Sequence, residues 1–457
     1  MAERLLTGWG RTTPSRARNR PCDDTGEVAG ALGRAGPRGA LARGLGRSYG
    51  DAALNGGGDV LALEAGLTGV RLDPDTGVVT AGGGASLDTV LRRIVPAGWF
   101  VPVSPGTRYV TVGGWVAADV HGKNHHRDGS VGNHLLGIEL VTPDGAVHDL
   151  GPDRDPAAFW ATVGGMGLTG VITLVRFQAV PIGSSRLAVD TRRADDLDGI
   201  MALMAATDHE AHYSVAWIDL VATGSQLGRS VLTTGDFAPA DALAAAHRRD
   251  PWAYDPTTAL AAPPWAPSQL LNRLTIRAFN ELWFRKAPRD RRGELQTIPT
   301  FFHPLDGVTG WNRLYGNRGF LQYQFVVPFG AEAVLRSIVE RLAGSAVAPS
   351  FLAVLKRFGA ANAAPLSFPM PGWTLTLDIP AVGGGVLAAL LDQLDELVVG
   401  AGGRLYLAKD SRMAPALLER TYPRLGEWRA VRDRLDPGRV LCSDLDRRLD
   451  LTGRRTP

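Results

Sequence analysis

The chain has 457 residues, of which 45% are hydrophobic and 21% are charged, as in an ordinary soluble globular protein. Its formal net charge is +3 and charges of both signs are mixed, which argues against a nucleic-acid-binding protein. Two cysteines cannot build a disulfide framework, and no segment is apolar over the roughly 18 residues that a membrane-spanning helix needs. The length favours two domains.

The first residues contain no apolar core of a secretory signal peptide. Together with the lack of a spanning segment, this predicts a cytoplasmic protein or a peripheral one at the cell membrane, the periplasmic side included.

Residues 21–182 read as alternating short strands, turns and helices. Val60–Leu63 and Leu135–Val141 have the composition of strands, and so does Val171–Ala179. Ser86 is a typical N-cap for a helix that runs to Val95.

From residue 184 to residue 400 the pattern changes to strands with clean period-two alternation. Two segments with helical period, 331–343 and 386–398, interrupt them. This predicts an α+β domain with an antiparallel sheet and helices on one face. The predicted strands are Tyr213–Leu220, Gly319–Pro328, Ser350–Leu355 and Trp373–Pro380.

The segment 249–307 is rich in proline, tryptophan and arginine. A long irregular segment in a compact domain is usually a functional lid or is disordered, and we expect one of these here.

A glycine-rich loop, residues 42–52, is the strongest local signal. Gly44, Gly46 and Gly50 allow successive backbone N–H groups to face one anion, typically a diphosphate. An ordinary surface turn explains the loop equally well when it is taken alone. Its spacing differs from the Rossmann fingerprint, so a nicotinamide dinucleotide fold is disfavoured.

Two more glycine-rich segments, 105–114 and 164–170, also lie beside apolar strands. One long dinucleotide that crosses several loops would need such a set.

Seven segments, in order along the chain, resemble the vanillyl-alcohol-oxidase-type FAD-binding flavoenzymes. More narrowly, they are similar to the branch that oxidises the 2′-hydroxyl of decaprenylphosphoryl-β-D-ribose. The matching segments are 43–51 (RGLGRSYGD), 105–114 (PGTRYVTVGG), 119–126 (DVHGKNHH), 159–170 (FWATVGGMGLTG), 320–325 (FLQYQF), 365–373 (PLSFPMPGW) and 402–412 (GGRLYLAKDSR).

The resemblance implies a two-domain α+β architecture with an antiparallel-sheet substrate cap. Residues 1–183 and 402–457 would form the FAD-binding domain, and residues 184–401 the cap. Covalent relatives carry a histidine within this first loop, and Tyr49 lies in that neighbourhood here, so the FAD is expected to be non-covalent. The implied cofactor residues are Ala42, Arg43, Gly44, Leu45, Gly46, Arg47, Ser48, Tyr49, Gly50, Asp51, Ala52, Gly106, Thr111, Val112, Gly113, Gly114, Ala118, Asp119, Val120, His121, Ile172 and Tyr406.

His121, His125 and His126 have a spacing that invites a metal. Gly122 lies between them and no nearby Cys or Glu supplies a third ligand, so we expect no metal. The resemblance instead implies that His121 and Lys123 lie near the flavin and the polar end of the substrate.

Lys409 is either a surface lysine paired with Asp410 or a catalytic lysine beside the flavin. The motif match favours the catalytic role, since a lysine in a partly dry pocket can act as a base.

Polar residues alternate along two of the predicted cap strands. Such a face usually meets solvent, but the resemblance turns it towards the substrate. Thr376, Thr374 and Phe302 replace a cysteine, an asparagine and a tyrosine of the mycobacterial pattern, which leaves no thiol expected in the pocket. The implied substrate residues are Trp217, Phe302, Gln322, Gln324, Lys356, Phe358, Thr374, Thr376 and Asp378.

The expected activity is oxidation of the ribose 2′-hydroxyl of a polyprenylphosphoryl ribose to the 2′-ketone. This is the first half of an epimerisation that yields the arabinose donor for cell-wall arabinan. The implied partners are a short-chain 2′-keto reductase, a quinone or other electron acceptor, and the membrane surface. The alternatives are an oxidase of a soluble alditol or sugar lactone and a non-enzymatic flavin- or lipid-phosphate-binding module.

Overall fold

The computed structural model describes residues 2–258, 260–263, 267 and 271–453. Pro264 and Trp265 of the proline- and tryptophan-rich segment lie outside these ranges. No described helix is both long enough and apolar enough to cross a membrane.

The first part of the chain is built from short strands and helices around two sheets. Its helices are α1 (Thr25–Gly33), α2 (Leu87–Ile94), α3 (Val112–Ala117), α4 (His125–Asp128) and α5 (Pro156–Thr162). Its strands are β1 (Ala2–Leu6), β2 (Ser15–Pro21), β3 (Ala40–Arg43), β4 (Asp59–Ala62), β5 (Val70–Leu72), β6 (Val78–Gly82), β7 (Trp99–Phe100), β8 (Leu135–Val141), β9 (Val147–Leu150), β10 (Val171–Gln178) and β11 (Val180–Pro181).

These strands form a mixed sheet in the order β1-β2-β4-β3 and an antiparallel sheet in the order β5-β6-β10-β8-β9. The predicted helix at Ser86 is confirmed, since the Ser86 side chain accepts a hydrogen bond from the Thr89 N–H and α2 buries Leu87, Val90, Leu91 and Ile94. The predicted strand Leu135–Val141 has the same bounds in the structure.

The middle of the chain forms one large antiparallel sheet. Its helices are α6 (Leu197–Thr207), α7 (Ala245–Arg248), α8 (Arg273–Lys286), α9 (Ile298–Phe302), α10 (Glu332–Gly344) and α11 (Gly384–Gly400). Its strands are β12 (Arg186–Ala194), β13 (Tyr213–Ile218), β14 (Ser230–Phe237), β15 (Leu260–Ala261), β16 (Asp290–Thr297), β17 (Val308–Thr309), β18 (Phe320–Pro328), β19 (Ala353–Phe358), β20 (Gly372–Pro380) and β21 (Arg404–Leu405).

The cap sheet has the strand order β16-β12-β14-β13-β19-β20-β18-β21 in the described part of the chain. Alternate residues of β20, namely Leu375, Leu377 and Ile379, share a buried cluster with Leu335 of α10 and Leu391 of α11. The residues between them on β20 face away from these helices. The predicted α+β class is thereby confirmed.

The segment 249–307 is more regular than expected. It contains the 14-residue helix α8 and the eight-residue edge strand β16. Asn272 caps α8 through both Leu274 N–H and Thr275 N–H, and β16 pairs with β12 over most of its length. The expectation of an irregular lid is wrong for these residues. Their composition predicted irregular structure, but the Asn272 cap and the pairing of β16 with β12 stabilise a helix and a strand.

The last residues return to the first part of the molecule. The helices α12 (Leu418–Thr421), α13 (Leu425–Leu435) and α14 (Asp444–Leu449) follow β21. Leu441 forms a parallel bridge with Ala40 at the start of β3, and Tyr49 N–H donates to the Ala408 carbonyl at 3.2 Å. The C-terminal part of the described chain therefore supports the glycine-rich loop.

Candidate active site

A cavity of about 800 Å³ runs from the glycine-rich loop after β3 to the cap sheet. One wall comes from residues 42–49, α3 and the segment after it. The opposite wall comes from β13, β14, β18, β19 and β20. The segments predicted to bind the cofactor and those predicted to bind the substrate thus line one cavity.

The glycine-rich loop presents unused backbone donors to this cavity. The N–H groups of Leu45, Gly46, Arg47 and Ser48 donate to no other described residue. Gly46 has a φ of 63°, a left-handed conformation that favours glycine. Consecutive unpaired amides of this kind make a strong binding site for a diphosphate.

The two arginines of this loop have structural contacts. Arg43 donates to the carbonyls of Thr7 and Ala53, both at 2.8 Å. The Arg47 guanidinium lies 4.0 Å above the Trp9 ring and donates to the Leu45 carbonyl. Backbone amides, more than guanidinium groups, are therefore the free donors of the loop.

Most of the predicted cofactor residues line the cavity: Ala42, Arg43, Gly44, Leu45, Gly46, Arg47, Ser48, Tyr49, Ala52, Gly106, Thr111, Gly113, Gly114, Ala118, Val120, His121, Ile172 and Tyr406.

Gly50, Asp51, Val112 and Asp119 do not line it. Asp51 forms a bidentate ion pair with Arg448 at 2.8 and 2.9 Å, and Val112 is buried in the core. The Asp119 carboxylate accepts from Ser130 Oγ at 2.8 Å and from Ser367 Oγ at 2.5 Å. These residues support the cavity wall without lining the cavity.

His121 is a buried neutral imidazole on the wall of the cavity. The Gln324 side-chain amide donates to its Nε2 at 2.9 Å, which places the ring proton on Nδ1. Nδ1 is buried without a hydrogen-bond partner in the described residues. Burial, with Lys356, His125 and Lys409 nearby, lowers the pKa of His121 well below its usual range. A ligand atom that accepts from Nδ1 would complete this site.

The two predicted catalytic lysines both lie above aromatic rings. Lys123 donates to the Phe301 carbonyl, and its ammonium lies 4.1 Å above the Phe301 ring. The Lys409 ammonium lies 3.9 Å above the Tyr49 ring. Burial, with a smaller contribution from Lys356, lowers the pKa of each lysine to about 7, while Asp378 opposes the shift of Lys409. Both can exchange protons near neutral pH.

The polar face of the cap sheet turns towards the cavity. Gln322 pairs with Asp378 and Gln324 with Thr376 across β18 and β20, so these side chains share one face. Trp217, Phe302, Gln322, Gln324, Lys356 and Thr376 line the cavity.

Phe358, Thr374 and Asp378 lie behind this lining. The Phe358 ring lies 4.8 Å from the His121 ring, and Thr374 Oγ1 donates to the Phe325 carbonyl at 2.8 Å. Asp378 accepts from Gln322 Nε2 at 2.5 Å. Asp378 contacts the cavity lining through Gln322, Thr374 through Gln324, and Phe358 through His121.

Residues that the sequence analysis missed complete the walls. Val215 and Val354 precede Trp217 and Lys356 by two positions, and period two would have found them. Trp9 and Asp306 gave no local signal, because chain segments far apart in sequence bring them to the cavity. The other missed lining residues include Ser104, Tyr109, Thr233, Trp283, Trp311 and Leu352.

Thr376 places a hydroxyl on the cavity wall, at a position where a cysteine would place a reactive thiol. The chain's two cysteines, Cys22 and Cys442, are both buried, and neither is among the described residues that line the cavity. We predict that thiol-directed electrophiles leave the native protein unmodified at this site, whereas Thr376→Cys gains one adduct. Intact-mass spectrometry checks this, and an adduct on a cavity residue of the native protein would contradict it.

Comparison with known proteins agrees with this geometry. Residues 22–151 match the family model described as an FAD binding domain. The chain is 43% identical over 453 residues to the decaprenylphosphoryl-β-D-ribose oxidase of Mycolicibacterium smegmatis, covering 98% of this chain and 97% of that one. The chain belongs to the decaprenylphosphoryl-β-D-ribose oxidase family. The predicted resemblance and FAD-dependent oxidoreductase class are confirmed.

Two further relatives show how far the similarity extends. A Streptomyces coelicolor protein, named only by its position beside another gene, is 44% identical over 80% of this chain and 100% of its own length. L-gulonolactone oxidase 3 of Arabidopsis thaliana is 32% identical over 23% of this chain and 20% of its own. Full-length similarity is therefore to the family, and the lactone oxidase shares only a part.

The residues fit FAD. The unused amides of residues 45–48 suit its diphosphate, and the buried Nδ1 proton of His121 suits a carbonyl or ring nitrogen of a flavin. Tyr406 lines the cavity, its hydroxyl donates to the Ala118 carbonyl at 2.8 Å, and the Phe368 ring stacks on it at 4.6 Å.

Proposed function

We propose that the protein is an FAD-dependent oxidase that converts the ribose 2′-hydroxyl of a polyprenylphosphoryl-β-D-ribose to the 2′-ketone. The observation that carries this proposal is a single cavity that joins the free amides of residues 45–48 to three lysines. A diphosphate-bearing cofactor and a phosphate-bearing substrate both require such donors. When bound, FAD accepts the hydride that leaves the ribose carbon.

The proton chemistry falls to Lys409. A lysine with a pKa of about 7 is partly neutral at physiological pH, so Nζ can take the proton of the 2′-hydroxyl as the carbonyl forms. The nearby Asp378 carboxylate partly opposes this lowering of the Lys409 pKa, because it stabilises the protonated amine. His121 stays neutral and donates from Nδ1.

Residues 1–183 and 402–457 would bind the cofactor in this function, and residues 184–401 would bind the substrate. The sheet topology supports this division. All described strands of the cap sheet lie within residues 184–401 except the two-residue strand β21. The ketone would pass to a short-chain reductase, and a quinone would take the electrons. We expect the FAD to be held without a covalent bond, because Tyr49 lies in the loop where covalent relatives carry a histidine.

The helix α8 supports the proposed contact with a membrane surface. Its exposed face carries Leu274 and Leu282, which are 79% and 68% exposed, beside Arg277 and Arg285. Trp283 of the same helix is half-exposed and lines the cavity. Exposed apolar and basic side chains on one helix are typical of segments that lie in a lipid interface.

The helix is firmly attached beneath this face. Asn280 Nδ2 donates to Asp219 at 2.7 Å, and Glu281 pairs with Arg229 at 2.7 Å. A lipid chain that entered beside Trp283 would thus pass along a fixed surface.

We expect the double variant Leu274→Glu/Leu282→Glu to bind anionic vesicles at least about tenfold more weakly, because two apolar anchors become charged. Co-sedimentation with vesicles of phosphatidylglycerol measures this. The flavin content should not change, since neither residue lines the cavity. Equal sedimentation of both proteins would remove α8 from the proposed membrane contact.

An anaerobic absorbance spectrum tests the function itself. The purified holoenzyme should be yellow and should bleach when polyprenylphosphoryl ribose is added. A yellow protein that stays oxidised with this substrate but bleaches with an alditol or sugar lactone would contradict the proposed substrate.

A further inference from the structure

Lysine is used very selectively in this chain. Only four of its 49 basic residues are lysines, and three of them, Lys123, Lys356 and Lys409, line the same cavity. The fourth, Lys286, lies on α8 outside it. Arginine stays charged in any protein environment, whereas lysine can lose its proton when buried. Three of the four lysine side chains that can lose their charge therefore line this cavity.

Lys356 is the member of this group with no assigned chemistry. It extends from β19 on the cap-sheet wall, and no described carboxylate lies within 4.0 Å of its ammonium. Its nearest aromatic neighbour is the Phe358 ring, 5.6 Å from Nζ. Asp306, a carboxylate that lines the cavity, already accepts from Arg108 N–H and from Thr107 Oγ1.

The groups whose pKa values respond to Lys356 are other bases. His121 and Lys123 approach from the segment after α3, His125 from α4 and Lys409 from the segment after β21. Lys356 lowers the pKa of each of these four groups. Two described carboxylates act on these bases, since Asp378 raises the pKa of Lys409 and Asp128 that of His125. A buried ammonium among other bases is costly unless an anion joins it.

We propose that Lys356, together with Lys123, forms a subsite for the phosphate group of the lipid-linked substrate, separate from the amides of residues 45–48 that face the cofactor's diphosphate. The inference rests on the proposed function and adds to it the place where the substrate's charge is bound. Lys123 keeps two N–H donors beyond the one that it gives to Phe301. Lys409 then remains available to accept the proton of the reacting 2′-hydroxyl.

The subsite couples binding to protons. Burial lowers the pKa of Lys356 to about 8 and that of Lys123 to about 7. A bound phosphate stabilises the ammonium forms and raises both pKa values. Binding at pH 8 therefore takes up protons, and the affinity falls as the pH rises above 8.

The test uses the oxidised holoenzyme and a ligand that cannot react, farnesylphosphoryl-2-deoxyribose, with its phosphate-free analogue beside it. Titration calorimetry at pH 8, in two buffers of different ionisation enthalpy, gives the affinity and the protons taken up. Lys356→Met should bind the phosphorylated ligand roughly ten- to a hundredfold more weakly and the phosphate-free analogue equally well. Lys356→Arg should keep the affinity and take up fewer protons, while Lys286→Met, the control outside the cavity, should match the native protein.

The outcomes separate the two proposals. If the native protein binds the phosphorylated ligand and Lys356→Met binds it equally well, the subsite is refuted and the proposed function stands. If Lys356→Met loses flavin absorbance instead, the anion at Lys356 belongs to the cofactor, and the subsite is again refuted. If the native holoenzyme binds neither ligand and does not bleach with polyprenylphosphoryl ribose, both proposals fail.

Discussion

Replacing Lys409 with Ala should retain FAD and lower turnover about 10²- to 10⁴-fold, the usual contribution of a positioned general base. The lysine lies over the Tyr49 ring in the substrate cavity, and the free amides of the cofactor loop do not depend on it. The flavin-to-protein absorbance ratio measures cofactor retention, and anaerobic reduction by polyprenylphosphoryl ribose measures the chemical step. Near-native reduction by the variant would remove Lys409 from the mechanism.

The same role fixes the direction of the pH dependence. Because the base must be neutral to accept a proton, flavin reduction in the native enzyme should rise with pH through about 7, where Lys409 deprotonates. Lys409→Arg is the matched control, since it keeps a cation in place that cannot act as a base. It should be as inactive as the alanine variant at every pH.

Replacing Gly44 with Ala should abolish cofactor binding. A Cβ at this position would lie 2.1 Å from Thr111 Oγ1 and 2.5 Å from Thr111 Cγ2, closer than real contacts allow. Thr111 caps α3 by accepting from Gly114 N–H, so its displacement also costs about 1 kcal/mol of cap stability. The purified variant should be colourless, with a lower melting temperature than the native apoprotein.

Gly33→Ala is the matched control for this experiment. A Cβ at Gly33, the last residue of α1, meets nothing within 4 Å. This variant should keep its flavin and be as stable as the native protein, or slightly more so, because alanine favours the helix. A yellow Gly44→Ala protein would show that the loop tolerates displacement of Thr111.

Local patterns were sufficient for the elements that carry their own start and stop signals. Ser86 capped α2 as predicted, and the alternation of Thr374, Thr376 and Asp378 placed them on one face of β20. Period two also indicated a polar face on the cap sheet. That this face is buried against a cavity came from the resemblance, since polarity alone predicts exposure to solvent.

What the sequence could not show is set by contacts between distant segments. Asp51 and Asp119 looked like cofactor ligands because they lie in glycine-rich motifs, yet they bind Arg448 and Ser367. Trp9 reaches the cavity because its N–H donates to the Ser48 carbonyl at 2.8 Å. No local pattern encodes such pairings.

The ion pairs of Arg448 have a consequence for how the enzyme is made. Arg448 binds Asp51 beside the glycine-rich loop and Asp410 beside Lys409, at 2.8 Å in each case. The cofactor loop is thus complete only after α14 has left the ribosome, and Arg448 is synthesised 397 residues after Asp51. We therefore expect FAD to bind only after α14 has been synthesised, and chains that end before α14 to lack the cofactor's stabilising effect.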